Sequence, residues 1–337
     1  MTVTTSGDAR PSRSHVIAAF AAVYLIWGST YLAIRYAVAT IPPFLMGGTR
    51  FLTAGLILYA WARGRGAAAP TRAQWGAALV TGILLLVGGN GAVIWAEQHV
   101  ASGLVALIVA IVPLWIVVLD WLRPGGTRPT LAVFVGVALG LAGLVLLIGP
   151  DALAQHGVSR LDVRAALVPV VGSILWAVGS IYSRYAARPS SAQLATGMQM
   201  LAGGASFLVV SVVAGEPRRF SLAAVTPASW IGYVYLVTFG AIVGFTAYIY
   251  LLRATTPAKA STYAYVNPVV AVVLGWAVAG EPFTPRMLVA AAIILGGVAL
   301  ITLANARRAT SAAPAPKRQA SPAPRHEPAR RAASAAE

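Results

Sequence analysis

The chain has 337 residues, of which 58% are hydrophobic and only 10% are charged, and its formal net charge is +16. Soluble domains carry about 25% charged residues, so this composition indicates a protein that is solvated by a lipid bilayer. The basic residues form no patch interleaved with aromatic residues, which argues against a nucleic-acid partner. The lack of cysteine excludes disulfides, thiol catalysis and cysteine-bound metals.

Ten apolar segments are long enough to span a bilayer, since a spanning helix needs about 20 such residues. In chain order they cover residues 16–38, 43–62, 74–96, 101–122, 130–149, 163–186, 191–214, 229–252, 257–279 and 286–305. The first segment has no small-residue cleavage site after it, so we predict a retained helix and not a signal peptide. Barrel strands would alternate in polarity, and that pattern does not occur. We therefore predict an all-α integral membrane protein with ten transmembrane helices.

The positions of the basic residues predict the orientation of these helices. With the N-terminus inside, 18 of the 25 lysines and arginines fall on the inner side and five on the outer side. Because basic residues favour the cytoplasmic side, both termini are expected in the cytoplasm, with the chain in the inner membrane. Residues 1–15 form the N-terminal tail, 150–162 an extracytoplasmic linker and 306–337 a basic tail that is too poor in large apolar residues to fold. Attraction of this tail to anionic lipid or to a specific partner stays open.

Two halves of the chain match each other, with the first repeat at 16–149 and the second at 163–305. The matched pairs are Trp27 with Trp176 and Gly55 with Gly204 at an offset of about 149 residues, and Pro113 with Pro268 and Trp121 with Trp276 at about 155. Each half holds five predicted helices, and five is odd, so the second half enters the membrane from the opposite side. Such inverted repeats recur in secondary transporters, whose solute site lies near the midplane between the halves.

Four segments carry a resemblance to a known family. "LIWGSTYLAIRYA" in the first helix, "GGTRFLTAG" in the second, "WAEQ" at the end of the third and "STYAYVNPVV" in the ninth resemble the EamA-type branch of the drug/metabolite transporter superfamily, over roughly residues 15–305. The resemblance implies a ten-helix inner-membrane protein of two EamA repeats with cytoplasmic termini. It also implies export of small metabolites, amino acids or drugs, without naming the substrate.

Two prolines at matched positions are expected to shape a cavity. Pro268 has no N–H and clashes with the carbonyl four residues earlier, so a backbone acceptor inside the membrane needs a partner from protein or water. Pro113 should have the same effect in the fourth helix. Tyr263 and Asn267 would then offer hydrogen bonds to a bound solute. The alternative is that Tyr263 packs and Asn267 bonds to a neighbouring helix.

Further candidates for solute binding lie on other helices. They are Trp27, Thr30, Tyr31, Asn90, Trp176 and Tyr248. Trp27 and Trp176 are predicted at mid-membrane, away from the interfaces where tryptophan is usual, and their indole N–H groups need partners. These residues suit the walls of an aromatic cavity, and packing alone is the alternative.

The charged side chains within or beside predicted helices include Arg35, Arg50 and Glu97. Arg50 lies about two turns inside the second helix, where an unpaired charge is costly. It is expected to pair with Glu97, to recognise solute or an ion, or to extend towards the interface. Arg35 is expected to extend to the outer interface.

Catalysis has little support in the sequence. The four histidines fall in loops, tails or helix ends, and no metalloprotease, serine-hydrolase or nucleotide-binding motif occurs. We predict a secondary transporter without cofactor or metal that works by alternating access on a small-molecule solute in the lipid bilayer, as a monomer or homodimer. A passive channel or facilitator, a membrane-embedded enzyme and a sensor that uses the tail are the alternatives.

Overall fold

The structure is a computed structural model that describes residues 13–125, 128–148, 160–255 and 263–311. Its long helices are α1 (Arg13–Val38), α2 (Pro43–Gly64), α3 (Arg72–Ala96), α4 (Ser102–Leu122), α5 (Leu131–Ile148), α6 (Arg160–Tyr185), α7 (Ala192–Val213), α8 (227–254), α9 (Tyr263–Ala279) and α10 (Pro285–Ser311). A short helix, Glu216–Arg219, and a 3₁₀ turn, Leu222–Ala224, precede α8. No strand occurs among these residues.

Seven of the described helices are long and apolar enough to cross a membrane. They are α1, α3, α4, α6, α7, α8 and α10, whereas the apolar parts of α5 and α9 are shorter. Three helices extend into segments predicted as tails or linker. Helix α1 begins at Arg13, inside the predicted N-terminal tail, α6 begins at Arg160, inside the predicted linker, and α10 continues to Ser311. Most of the predicted linker and C-terminal tail lies outside the described residues.

Side-chain caps fix where several helices begin. Thr71 and Gln74 form a reciprocal capping box at the start of α3, in which each side chain accepts a hydrogen bond from the other residue's backbone. Ser191 and Thr226 cap α7 and α8 by accepting from the backbone N–H three residues later. These caps satisfy donors that helix starts otherwise leave free.

The two matched prolines have different effects on their helices. Helix α4 is interrupted at residues 110–111, between Ser102–Val109 and Val112–Leu122, because Pro113 cannot donate to the carbonyl of Val109. Pro268 lies inside α9, which continues through it without a break. Only the break near Pro113 has the expected consequence for helix continuity.

Glycines let two helix pairs approach closely. A Cβ atom added to Gly55 of α2 would lie 2.8 Å from the backbone N of Leu201 in α7, and one added to Gly204 of α7 would lie 2.8 Å from the backbone N of Leu52 in α2. Helices α5 and α10 meet in the same way, since a Cβ on Gly297 would lie 2.6 Å from the carbonyl O of Gly136. Small residues are typical of helix contacts in membranes.

The larger buried core lies among α1, α2, α3, α7 and α8. Its most enclosed large side chains include Met46, Leu86, Ile94, Phe207 and Leu236. A second core joins α4, α5, α6 and α10. Helices α3 and α8 each contain a π-helical segment, Gly82–Asn90 and Leu236–Val243, and such segments are frequent at functional sites.

Candidate solute-binding and coupling site

Three predicted residues meet in an aromatic cluster made by α1, α8 and α9. The ring of Trp27 lies 5.2 Å from Tyr248, 5.0 Å from Tyr263 and 5.3 Å from Phe245, and the two tyrosine rings are 5.6 Å apart. All four residues are half-buried. The centroid distances are those of favourable aromatic pairs, so the rings pack directly against one another.

The indole N–H of Trp27 is hydrogen-bonded, as expected for a partly buried donor. It donates to the carbonyl O of Gly240, at 3.1 Å, in the π segment of α8. Thr30 donates to the carbonyl O of Trp27 at 2.6 Å. Its methyl group would lie 3.2 Å from a Cβ on Gly240. Thr30 therefore contacts the π segment beside the aromatic cluster.

Trp176 lies apart from the aromatic cluster and packs on α3. A Cβ added to Gly89, in the π segment of α3, would lie 2.6 Å from Cε3 of Trp176, and one added to Gly244 of α8 would overlap Nε1 of Trp27. Each tryptophan thus depends on a glycine within or beside a π segment. The predicted aromatic residues therefore do not form one cluster: Trp27 lies with Tyr248 and Tyr263, and Trp176 lies against Gly89.

Arg50 and Asn90 are joined inside the bundle. Arg50 is 5% exposed, its Nη2 donates to Asn90 Oδ1 at 3.1 Å, and its guanidinium lies 4.3 Å from the centre of the Phe51 ring. The Nε atom of Arg50 is buried and has no hydrogen-bond partner in the described part of the chain. Arg50 is thus bonded to Asn90, and the described part of the chain shows no ion pair between Arg50 and Glu97.

Glu97 is a buried carboxyl at the C-terminal end of α3. It is 4% exposed, and neither carboxyl oxygen has a hydrogen-bond partner among the described residues. Burial raises the pKa of Glu97 well above the ordinary glutamate value, and the nearby charge of Glu281 adds to this. The charges of Arg50 and Arg35 oppose the shift. Glu97 therefore lies within electrostatic range of two arginines.

Asn267 and Tyr31 lie in the interior as well. Asn267 is 8% exposed and its Oδ1 has no partner among the residues that the structure describes. Its backbone carbonyl would lie 3.2 Å from a Cβ on Gly28, so α1 and α9 are in close contact there. Tyr31 packs against the larger core and lies within electrostatic range of Glu97. The predicted residues thus lie in several places: Trp27, Tyr248 and Tyr263 form the aromatic cluster, Arg50 is bonded to Asn90, and Trp176 of α6 packs on α3.

Two glutamates that the sequence analysis did not single out hold helix starts at one end of the bundle. Glu281 accepts from Ser102 N (2.8 Å), Ser102 Oγ (2.7 Å) and Gly103 N (3.0 Å) at the start of α4. It also pairs with Arg35, which was expected to extend to the interface. Ion pairing overrides that tendency because the carboxylate lies within reach of the arginine.

The second glutamate repeats this arrangement. Glu216 accepts from Phe44 N (3.2 Å) and Leu45 N (2.7 Å) at the start of α2, and from Ser211 Oγ (2.7 Å). Each glutamate follows a glycine with positive φ, Gly215 at 70° and Gly280 at 63°, a conformation that favours glycine. The signal in the sequence was the tripeptide Gly-Glu-Pro, which occurs after two predicted helices.

An open apolar groove of about 490 Å³ lies between α3 and α6. Its lining residues are Phe44, Val87, Gly88, Gly91, Ala92, Trp95, Leu167, Val168, Val171, Gly172 and Leu175. None of the predicted solute-binding residues lines this groove. Among the described residues, no group of histidine and acidic side chains could hold a metal ion.

Comparison with known proteins gives a consistent picture. The model of the EamA-like transporter family matches residues 14–149 and again residues 163–303. The inner membrane transporter YedA of Escherichia coli strain K12, itself described as uncharacterized, is 40% identical over 284 residues, which cover 84% of this chain and 89% of YedA. A protein of known crystal structure superposes with a TM-score of 0.58 at 25% identity, over 87% of this chain and 99% of its own.

Two more distant relatives have different names. A probable terminal-alkyne amino-acid exporter of Streptantibioticus cattleyicolor is 29% identical over 64% of this chain and 70% of its own. The WAT1-related protein At3g02690, chloroplastic, of Arabidopsis thaliana is 25% identical over 82% of this chain and 67% of its own.

Proposed function

Because this chain belongs to the EamA-like transporter family and is a multi-pass transporter of the inner membrane, we propose that it works as a secondary transporter by alternating access. It exports small metabolites, amino acids or drugs. Its ten helices all cross the membrane, including α2, α5 and α9, with both termini in the cytoplasm. The two repeats span 16–149 and 163–305, and the residues between them form an extracytoplasmic linker.

The contacts of α2 with α7 support the inverted repeat. Gly55 approaches Leu201, and at an offset of 149 residues Gly204 approaches Leu52. As the residue number rises along α2, the number of the contacted residue in α7 falls, so the two helices are antiparallel. Equivalent helices that pack antiparallel are related by a two-fold rotation about an axis perpendicular to both. Inverted repeats require this relation.

The two tryptophan–glycine contacts support the same relation. Trp27 and Trp176 differ by 149 positions, and their partners Gly244 and Gly89 differ by 155. These are the two offsets at which the halves of the sequence match. A carrier of this kind can exchange the conformations of its halves and so expose one chamber alternately to the two sides.

One observation carries the functional proposal: besides the aromatic cluster, the interior holds buried polar atoms that have no hydrogen-bond partner among the described residues. They include Arg50 Nε, both oxygens of Glu97 and Asn267 Oδ1. Buried polar atoms are nearly always hydrogen-bonded, and ionisable residues inside membrane proteins mark solute or ion pathways. We propose that the solute binds between these atoms and the rings of Trp27, Tyr248 and Tyr263.

The chemistry of this set favours a solute with an anionic group and an apolar part. The guanidinium of Arg50 is suited to a carboxylate, because its planar donors match two carboxylate oxygens. The aromatic rings offer an apolar surface of the kind that lines ligand pockets. Amino acids with apolar side chains fit this description best among the three solute classes.

The test is a thermal-shift screen of the purified chain against amino acids, nucleosides and cationic drugs, followed by counterflow in proteoliposomes with the solute that stabilises it. A carrier shows saturation and stimulation by solute on the opposite side, whereas a channel shows neither. Trp27→Ala and Asn267→Ala should abolish the stabilisation by solute, and Trp276→Ala, a change at an exposed tryptophan of α9, should preserve it. Covalent conversion of the solute without its movement would indicate an enzyme and contradict the proposal.

A further inference from the structure

Three buried glutamates lie at the same end of the bundle, and one of them differs from the other two. This is the end at which α1, α3, α7 and α9 finish and α2 and α4 begin. Glu281 accepts three hydrogen bonds at the start of α4, and Glu216 accepts two at the start of α2 and one from Ser211 near the end of α7. Glu97 accepts none from the described residues, although it is equally buried.

The position of each carboxyl relative to the nearest helix dipole explains the contrast. A helix start carries a partial positive charge and free N–H groups, which stabilise a carboxylate, whereas a helix end carries a partial negative charge, which destabilises one. Glu281 lies at the start of α4, and Glu97 lies at the end of α3. The geometry alone therefore favours a neutral carboxyl at Glu97 and a charged one at Glu281.

The surroundings of Glu97 contain one group that could exchange partners. The charged and titratable groups facing it are Tyr31 and Arg35 of α1, Arg50 of α2 and Glu281 beyond α9, while His99 on its own segment is exposed. Arg50 is held by Asn90. Arg35 is paired with Glu281 and has a side chain that is 38% exposed, so it has room to move.

We propose that Glu97 is the ionisable switch of the carrier, neutral while this end of the bundle is closed and ionised when the end opens, when it takes Arg35 from Glu281. On opening, the proton of the Glu97 carboxyl passes to water at this end, and the carboxylate attracts Arg35. Loss of the Arg35–Glu281 pair frees α1 from the start of α4. On closing, the proton returns and the pair forms again. This inference rests on the alternating access proposed above.

The direction of the pH effect follows from linkage. The closed state binds the proton of Glu97 more tightly than the open state, because burial raises the pKa of Glu97 and opening hydrates the carboxyl. Rising pH should therefore favour the open state, by up to about tenfold for each unit by which the two pKa values differ.

The first experiment titrates Glu97 directly by infrared difference spectroscopy on the full chain in lipid nanodiscs, without solute. The protonated-carboxyl band of the wild type should lose intensity at a pH well above about 4.3, the ordinary value for glutamate. This titration should be lost in Glu97→Gln and preserved in Glu216→Gln, which removes a carboxyl that is buried at the same end but fully hydrogen-bonded. An ordinary midpoint, or a raised one that survives in Glu97→Gln, would overturn the proposal.

The second experiment follows opening by cysteine labelling, for which the chain offers a background without cysteine. Ala101→Cys reports on the start of α4, and Gln98→Cys, at an exposed position, controls for reagent reactivity. Labelling at 101 relative to 98 should rise with pH in the wild type. It should stay low at every pH with Glu97→Gln and stay high at every pH with Arg35→Gln. Labelling independent of pH in the wild type would overturn the switch.

Neither experiment uses a transported solute. A negative result in both would therefore contradict the switch and leave the transporter assignment standing. If Glu97 titrates with the raised midpoint but counterflow fails, the result would contradict the proposed function instead.

Discussion

Arg35, in the last turn of α1, is ion-paired with Glu281, which lies beyond the end of α9 and accepts hydrogen bonds from the start of α4. One carboxylate thus joins three helices at one end of the bundle. The pair is only partly shielded from solvent on the arginine side, whereas Glu281 itself is buried. The two residues should consequently contribute unequally to stability.

Removing Glu281 should cost far more than removing Arg35. Glu281→Ala leaves two backbone N–H groups and a hydroxyl without their acceptor, and hydrogen bonds to charged groups contribute about 1.5–3 kcal/mol each. We expect a loss of about 3 kcal/mol or more for Glu281→Ala and about 1 kcal/mol or less for Arg35→Ala, since partly exposed ion pairs contribute little. Unfolding of the two variants in detergent measures both values, and equal losses would contradict the assignment of Glu281 as a helix cap.

Glu281 and Glu97 should make the free energy of unfolding depend on pH in opposite directions. Burial raises the pKa of Glu281, but hydrogen bonds from Gly103, Ser102 and Arg35 outweigh it, so its pKa lies below the ordinary value. Its contribution is present above about pH 4.3 and is lost as the pH falls through the lowered pKa. The raised pKa of Glu97 has the reverse effect, so its contribution is lost as the pH rises above about 4.3.

Melting temperatures measured between about pH 5 and pH 8 separate the contribution of Glu97 from that of Glu281, because only Glu97 is expected to change its stabilising effect in this range. The wild type should lose stability with rising pH, and Glu97→Gln should remove that slope. If Glu97→Gln leaves the slope unchanged, Glu97 is not the buried neutral carboxyl described above.

Close packing of α2 on α7 predicts equal sensitivity at two matched glycines. A methyl group at Gly55 or Gly204 would lie 2.8 Å from a backbone N of the other helix, and overpacking typically costs about 1–3 kcal/mol. Gly55→Ala and Gly204→Ala should each destabilise the chain by such an amount. Gly76→Ala in α3, where nothing lies within 4 Å of the added methyl, is the matched control and should be neutral or slightly stabilising.

The contact of Trp27 with Gly244 predicts a rescue. Gly244→Ala should destabilise by about 1–3 kcal/mol, because the new methyl overlaps Nε1 of Trp27. Trp27→Phe removes that nitrogen together with its hydrogen bond to Gly240. In a double-mutant cycle, Gly244→Ala should cost less in the Trp27→Phe background than in the wild type, and additive losses would show that the two side chains do not compete for the same space.

Helix positions could be predicted well from the sequence because hydropathy and helix breakers report on them directly. The runs around α1, α2 and α7 end within a few residues of their predicted bounds. The start of α6 at Arg160 was missed because charged residues in the first turn conceal the helix. The π segments of α3 and α8 were missed because hydropathy does not distinguish a π turn from an α turn within an apolar run.

Side-chain partners were less predictable than helices. Trp27, Tyr248 and Tyr263 were singled out separately, and the structure brings them together. For Arg50, a pair with Glu97, recognition of solute or an ion and extension towards the interface all stayed open, and the bond to Asn90 depends on distances that spacing along the chain does not give. The caps formed by Glu216 and Glu281 act between residues more than 170 positions apart, beyond the reach of local patterns.

Side-specific labelling of single cysteines tests most directly the proposal that two similar five-helix units lie inverted with respect to each other. Cysteines at 65 and 188, both exposed, should react with a membrane-impermeant reagent from the cytoplasmic side only. Cysteines at 98 and 218, also exposed, should react from the opposite side only. Reaction of positions 65 and 218 from the same side of the membrane would contradict the inverted repeat and the alternating access built on it.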